Sequence, residues 1–160
     1  MKLIVFSDSH GVNYGMMEAM TLHPRADCYL HLGDGAPEFV QLCQSRGLPC
    51  AAVRGNCDFA CDLPLELTLN FGGFTFYLTH GHICSAKSST AGLRSRGREA
   101  EADVILFGHT HQAHSEYEPD SMHPYYLFNP GAVGRSYGSK PSYGVIEIKG
   151  KNLLLGHAYL

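Results

Sequence analysis

The sequence predicts an α/β fold, and three observations carry that reading. Short apolar runs alternate with helical segments from residue 2 to residue 53. Two β-like runs then flank a Gly-Gly pair, and short β-runs fill the C-terminal third. Residues 2–7 form an apolar run that ends in polar residues, which suits a buried strand. Residues 15–21 read as a helix closed by Pro24. Residues 27–31 are a second strand, 37–46 a helix with Pro37 in its first turn and Gly47 as its stop, and 49–53 a third strand. A βαβαβ start of this kind argues for parallel pairing.

The middle of the chain changes character. Residues 65–71 and 74–79 flank Gly72 and Gly73 and predict a hairpin. Residues 88–100 predict a helix capped by Ser88 or Ser89, with Arg94, Arg96 and Arg98 on a solvated face. Residues 104–107 form a further buried strand. Four β-runs follow at 114–117, 125–128, 143–149 and 153–159, with Gly150 and Lys151 turning the last hairpin. No repeat or linker divides the chain, so one domain over residues 1–160 is expected.

Composition narrows the function. The formal charge of −3 offers no basic stripe for nucleic acid. No apolar stretch approaches the roughly 20 residues of a membrane span. The apolar run at residues 3–6 meets Asp8 and His10 with no small-residue cleavage site after it, so a cytoplasmic location is expected. The six cysteines, Cys28, Cys43, Cys50, Cys57, Cys61 and Cys84, are irregularly spaced and read as reduced thiols. Cys57 and Cys61 lack the second pair that a structural zinc site needs.

Ten histidines are many for this length, and the conspicuous polar residues sit just after predicted strands. Asp8 and His10 follow the first strand, Gly33-Asp34 the second, and Gly55-Asn56-Cys57-Asp58 the third. His80 follows the hairpin, and Gly108-His109-Thr110-His111 follows residues 104–107. Ligands in open α/β sheets gather outside the carboxyl ends of strands, so these clusters should converge on one rim. Carboxylate, amide and imidazole donors together suit Mn, Fe, Zn or Co. The D-x-H and H-x-H pairs would each place two side chains on one side of an extended segment.

The ordered set Asp8-x-His10, Gly33-Asp34, Gly55-Asn56-x-Asp58, His80-Gly81-His82 and Gly108-His109-x-His111 resembles the calcineurin-like metallophosphoesterase superfamily. The short length, the GNCD wording and Asn129-Pro130-Gly131 resemble its small branch of YfcE-type phosphodiesterases. The resemblance spans roughly residues 1–135. It implies a two-sheet β-sandwich flanked by helices, a four-layer αββα fold. It implies two divalent ions, Mn foremost, with Fe, Zn, Ni or Co as alternatives. Asp8, His10 and His111 would hold the first ion, Asn56, His80 and His109 the second, and Asp34 would bridge them. His80 takes the ligand role and His82 stands behind it. A metal-bridging hydroxide would attack a small phosphodiester, or a monoester, in line.

The implied catalytic group is Asp34, Asn56, Cys57, Asp58 and His80. Asp58 is read as a hydrogen-bond acceptor behind the ligands. Many members of the superfamily carry His where this chain has Cys57, which puts the general acid, and hence the natural leaving group, in doubt. Asn129-Pro130-Gly131 reads as a turn or as support for the site, and Arg135 as a phosphate contact or a plain surface residue. His23, His31, His114, His123 and His157 match no motif and read as surface or structural. The competing function is a non-catalytic protein-binding scaffold on the same fold, like the retromer subunit Vps29. Such scaffolds tend to lose ligand residues, whereas all seven ligand positions here hold competent side chains. With no cap insertion the site is open, which also leaves room for a homo-oligomer.

Overall fold

A computed structural model describes residues 1–119, 122–134 and 140–160. Its strands are β1 (Lys2–Phe6), β2 (Cys28–His31), β3 (Cys50–Ala52), β4 (Glu66–Phe71), β5 (Phe74–Thr79), β6 (Val104–Leu106), β7 (Ala113–Glu118), β8 (Tyr125–Pro130), β9 (Ser142–Lys149) and β10 (Asn152–Tyr159). The helices are α1 (Tyr14–Leu22), α2 (Ala36–Arg46) and α3 (Ala91–Glu99). They build two mixed sheets, ordered β10-β9-β1-β2-β3 and β4-β5-β6-β8-β7. In the first sheet β1, β2 and β3 run parallel. In the second, β5, β6 and β8 do.

The strand pleat assigns the layers. Leu3 and Val5 of β1 face the second sheet and pack with Leu30, Phe76, Leu78, Val104, Leu106 and Phe128. Ile4 and Phe6 face the other way, onto Met16 and Ala19 of α1 and Phe39 and Cys43 of α2. Being covered on both faces, β1 reads as an unbroken apolar run instead of alternating. On the far side, Leu93 of α3 packs on Tyr77, Ile105 and Leu127. The order is therefore helices, sheet, sheet, helix, as the four-layer reading expects. Each fully buried Leu or Phe in these layers contributes about 2–3 kcal/mol. No helix among the described residues is long and apolar enough to cross a membrane.

Local signals account for the helix ends. Pro37 sits in the first turn of α2, where its missing N–H costs nothing. Gly47 ends the helix at φ 63°, a left-handed cap whose N–H reaches the last carbonyls. The third helix differs from expectation. It begins at Ala91, not residue 88, and Ser89 Oγ accepts the Ala91 N–H at 3.1 Å. Nor do its arginines form a plain solvated face. Arg94 donates to Glu116 at 2.6 Å and to the Tyr125 hydroxyl at 3.0 Å, and Arg96 pairs with Glu66 at 2.7 Å. These contacts tie α3 to β7, β8 and β4, pairings between residues far apart in sequence.

His31 closes β2 and is fully buried. Its Nε2 lies 3.1 Å from Ser9 Oγ, and its Nδ1 accepts the Gly33 N–H at 3.1 Å. One imidazole thus joins the loops after β1 and β2. Burial pushes its pKa down to about 4 against the pull of the Asp8 and Asp58 carboxylates. The unfolded chain therefore binds a proton here before the folded chain does. The stability that neutral His31 contributes is complete above about pH 6.5 and is lost as pH falls toward 4. In urea titrations with chelator, the His31 share of the loss between pH 7 and pH 4.5 is about 2–3 kcal/mol. His31→Gln should flatten the pH dependence by that amount. Equal slopes in the two proteins would contradict the assignment.

Candidate metal centre

The parallel strands of both sheets deliver their carboxyl ends to one rim. The loops there interlock through the backbone: Asp8 N–H donates to Gly33 O at 3.0 Å, His10 N–H to Asp34 O at 2.9 Å, and Gly108 N–H to His80 O at 3.1 Å. This close approach requires missing side chains. A Cβ on Gly33 would lie 2.5 Å from Gly55 N, and one on Gly55 would lie 2.1 Å from Asp34 Oδ1.

The loops are not extended, which corrects the geometry expected for the D-x-H and H-x-H pairs. Asp8, His10, Asp34, His109 and His111 all have positive φ, at 55°, 48°, 57°, 67° and 59°. Left-handed backbone is uncommon outside glycine, and Asp and His are among the residues that tolerate it best. Each pair is held by a tight turn, not by strand alternation. Strain of order 1–3 kcal/mol per residue is concentrated where function is expected.

The side chains meet as follows. Donor atoms of Asp8, His10 and His111 lie within 4.8 Å of one another, as do those of Asp8, Asp34 and His80, and those of His10, Asp34 and Cys57. His10 Nε2 is 3.3 Å from His111 Nε2. His80 Nε2 is 3.1 Å from Asn56 Oδ1 and 3.4 Å from Asp34 Oδ2, while its Nδ1 meets Leu32 O at 2.7 Å. The His109 ring stands 4.9 Å from that of His80, and the His109 backbone N–H donates to Asp8 Oδ2 at 3.1 Å. His109 joins none of the donor groups among the described residues. His82 stands further back, its ring 5.4 Å from His80 and its Nδ1 buried without a hydrogen-bond partner among the described residues.

Charge is held here against burial. Asp8 and Asp34 are buried. Burial opposes ionisation of Asp8, but contact with His111 and the charge of His80 hold its pKa below the usual carboxylate range. Burial also opposes ionisation of Asp34; His80 and the Cys57 N–H, which donates at 2.7 Å, hold its pKa well below the usual carboxylate range. In turn His80 rises despite burial, through Asp34 and Asp8, and His111 rises through Asp8. Burial pushes His109 down to about 4, aided by His80 and Lys87.

Asp8 Oδ1 is the telling atom. It is buried and makes no hydrogen bond of good geometry, although His111 Nε2 lies 3.2 Å away. Anionic and imidazole donors that face one another around such an atom fit a divalent cation.

Supporting groups surround the donors. Asp58 accepts the N–H groups of Asp34 (2.8 Å), Gly35 (2.7 Å) and Gly55 (2.8 Å), behind the donors and not among them. Asn129 Nδ2 donates to Gly108 O at 2.9 Å and to Thr110 Oγ1 at 3.0 Å, so it braces the 108–111 loop. Arg135 lies outside the described residues. Sequence reasoning missed Ser7, whose hydroxyl donates to Asp8 Oδ2 at 2.6 Å, and gave His31 no specific role. His31 ends a strand two residues before Gly33-Asp34, a position that could have marked it.

A family model of the calcineurin-like phosphoesterase superfamily domain matches residues 1–151. The chain belongs to that superfamily. It is 35% identical over 134 residues to "Probable metallophosphoesterase YsnB" of Bacillus subtilis, covering 83% of this chain and 75% of that protein. It is 32% identical over 105 residues to phosphodiesterase YfcE of Escherichia coli, covering 60% of this chain and 51% of that one. Vacuolar protein sorting-associated protein 29 of Schizosaccharomyces pombe is 30% identical over 112 residues, 64% of this chain and 58% of its own. Among solved structures, a predicted phosphoesterase from Streptococcus pneumoniae superposes with a TM-score of 0.82 at 26% identity, covering 99% of this chain and 88% of that one.

The Asp58 geometry yields a measurable expectation. Asp58→Ala strands three backbone donors, all in buried residues, and should cost at least about 3 kcal/mol. Urea unfolding in chelator would read the loss directly. Wild-type stability in this variant would show that water replaces the carboxylate without penalty.

Proposed function

We propose that this chain is a dinuclear divalent-metal phosphoesterase that hydrolyses small phosphodiesters. The observation that carries the proposal is the position of Asp34, whose donor atoms lie within 4.8 Å of those of Asp8 and His10, assigned to the first ion, and of His80, assigned to the second. A carboxylate so placed suits a bridge between two ions. Asp8, His10 and His111 would hold one ion. Asn56, His80 and the adjacent His109 would hold the second. When bound, the ions supply positive charge for the phosphoryl oxygens and make a water nucleophilic at neutral pH.

The chain's own groups set the rest. Leu32 O fixes the His80 ring so that Nε2 faces Asp34 and Asn56. A cleft of about 240 Å³, lined in part by His10, Asp34 and Cys57, opens beside the donors. That volume suits a phosphoryl group with little else attached. Cys57 is exposed at its edge, and partial desolvation of the thiol together with the Asp34 carboxylate raises its pKa. A neutral thiol is a poor general acid at neutral pH. Leaving groups that depart as stable anions, such as aryl oxides, are therefore the expected good substrates. The similarity to YfcE, named a phosphodiesterase, favours diesters.

Similarity to a vacuolar protein sorting-associated protein favours a second reading, a protein-binding scaffold. Seven ligand-competent side chains on one rim argue against it, and metal content separates the two.

Chelation should lower phosphodiester turnover by at least about two orders of magnitude, with recovery on adding Mn. Undiminished turnover in rigorously metal-free protein would overturn the proposal. Asp34→Asn should cost more bound metal per chain than His109→Ala, which should retain the first ion. Two tightly bound ions and normal turnover in Asp34→Asn would refute the bridging role.

Loss of an essential proton donor typically costs about 10²–10⁴-fold, so Cys57→Ala should lower turnover of aryl phosphodiesters by less than about tenfold. A larger collapse with both ions retained would make the thiol catalytic.

A further inference from the structure

A second cleft, of about 500 Å³, is walled in part by the loop that carries His109 and His111. Thr110, which lies between His109 and His111 in sequence, forms part of its wall. We propose that this cleft, walled by Lys87, Thr90, Phe107, Thr110, Gln112 and His114, seats the retained ester arm of a phosphodiester and favours arms that carry an anionic group. The inference rests on the phosphoesterase reading above and names the substrate class for it.

Size is the first argument. The cleft at His10, Asp34 and Cys57 is about 240 Å³ and open, so the ester arms of a diester can extend over its rim. The neighbouring space falls within the range of small-molecule sites, about 300–1,000 Å³.

Chemistry is the second. Phe107, 3% exposed, gives an apolar floor, and the His114 ring stands 6.3 Å from it. Thr110 Oγ1 is already held by Asn129 at 3.0 Å, which presents the hydroxyl in a fixed place.

Charge is the third. Lys87 is exposed and pairs with no carboxylate among the described residues. It lines the cleft together with Thr110, whose chain neighbours are His109 and His111. The carboxylate against His114 is Glu116, 3.3 Å away, but Arg94 holds it at 2.6 Å and offsets its charge. The wall that Lys87 shares with Thr110 is thus cationic. An ammonium on a flexible stem binds phosphate or carboxylate as a point charge, without demanding one geometry.

Two matched substrates test this with the metal-loaded protein. One is 4-nitrophenyl phenyl phosphate; the other carries a carboxylate on the phenyl ring. In both, 4-nitrophenolate leaves, so only the retained arm changes. The readout is the ratio of kcat/KM, carboxylated over plain. In Lys87→Gln this ratio should fall about threefold to fivefold, through KM, as expected for an exposed ionic contact. Lys87→Arg should restore it, and added salt should narrow the wild-type ratio. Equal effects on both esters, or none, would overturn the inference while leaving the phosphoesterase reading in place. No turnover of either ester by wild type loaded with Mn would overturn both.

Discussion

Three backbone N–H groups from two loops end on one buried carboxylate, that of Asp58. Two of them, from Asp34 and Gly35, belong to the loop after β2, and one, from Gly55, to the loop after β3. Asp58 also comes from the β3 loop, so it clamps the two loops together at the rim. His31 extends the clamp to Ser9 in the loop after β1. Asn129 separately braces the 108–111 loop against β8 of the second sheet. The donor side chains project from a backbone that these contacts fix, on loops with no regular hydrogen bonding of their own.

Such a rim is locally unfavourable. Five donor-bearing residues hold left-handed backbone, three carboxylates are buried, and one carboxylate oxygen lacks a well-formed hydrogen bond among the described residues. The packed layers beneath it supply the stability that keeps it in place. Burying anionic groups without full pairing is costly, and a divalent cation removes much of that cost. The same arrangement that disfavours the metal-free site therefore organises it for metal. Asp34 concentrates this logic, with a backbone N–H on one oxygen and His80 near the other.

Much of this was legible in the sequence. Strands β1 to β3 read clearly because burial on both faces makes them apolar throughout. The polar clusters after them stood out by contrast, and their order carried the family resemblance. Other features resist a reading by local pattern. Nothing in residues 65–79 says that the β4–β5 hairpin joins a second sheet; that follows from β5 pairing with β6, some thirty residues on. The arginines of α3 looked solvated because their partners, Glu66, Glu116 and Glu118, lie 22 to 30 residues away. The turn geometry of Asp8-x-His10 and His109-x-His111 was invisible because alternation assumes extended backbone. His31 has no motif, and its partners come from two separate loops.

The central claim is that one carboxylate joins two ion sites. Anomalous scattering from crystals grown with Mn would test it most directly. The account predicts two peaks about 3.5–4 Å apart. One would lie among Asp8, His10 and His111, the other among Asn56, His80 and His109, with Asp34 touching both. A single peak, or two peaks with Asp34 bound to neither, would contradict it.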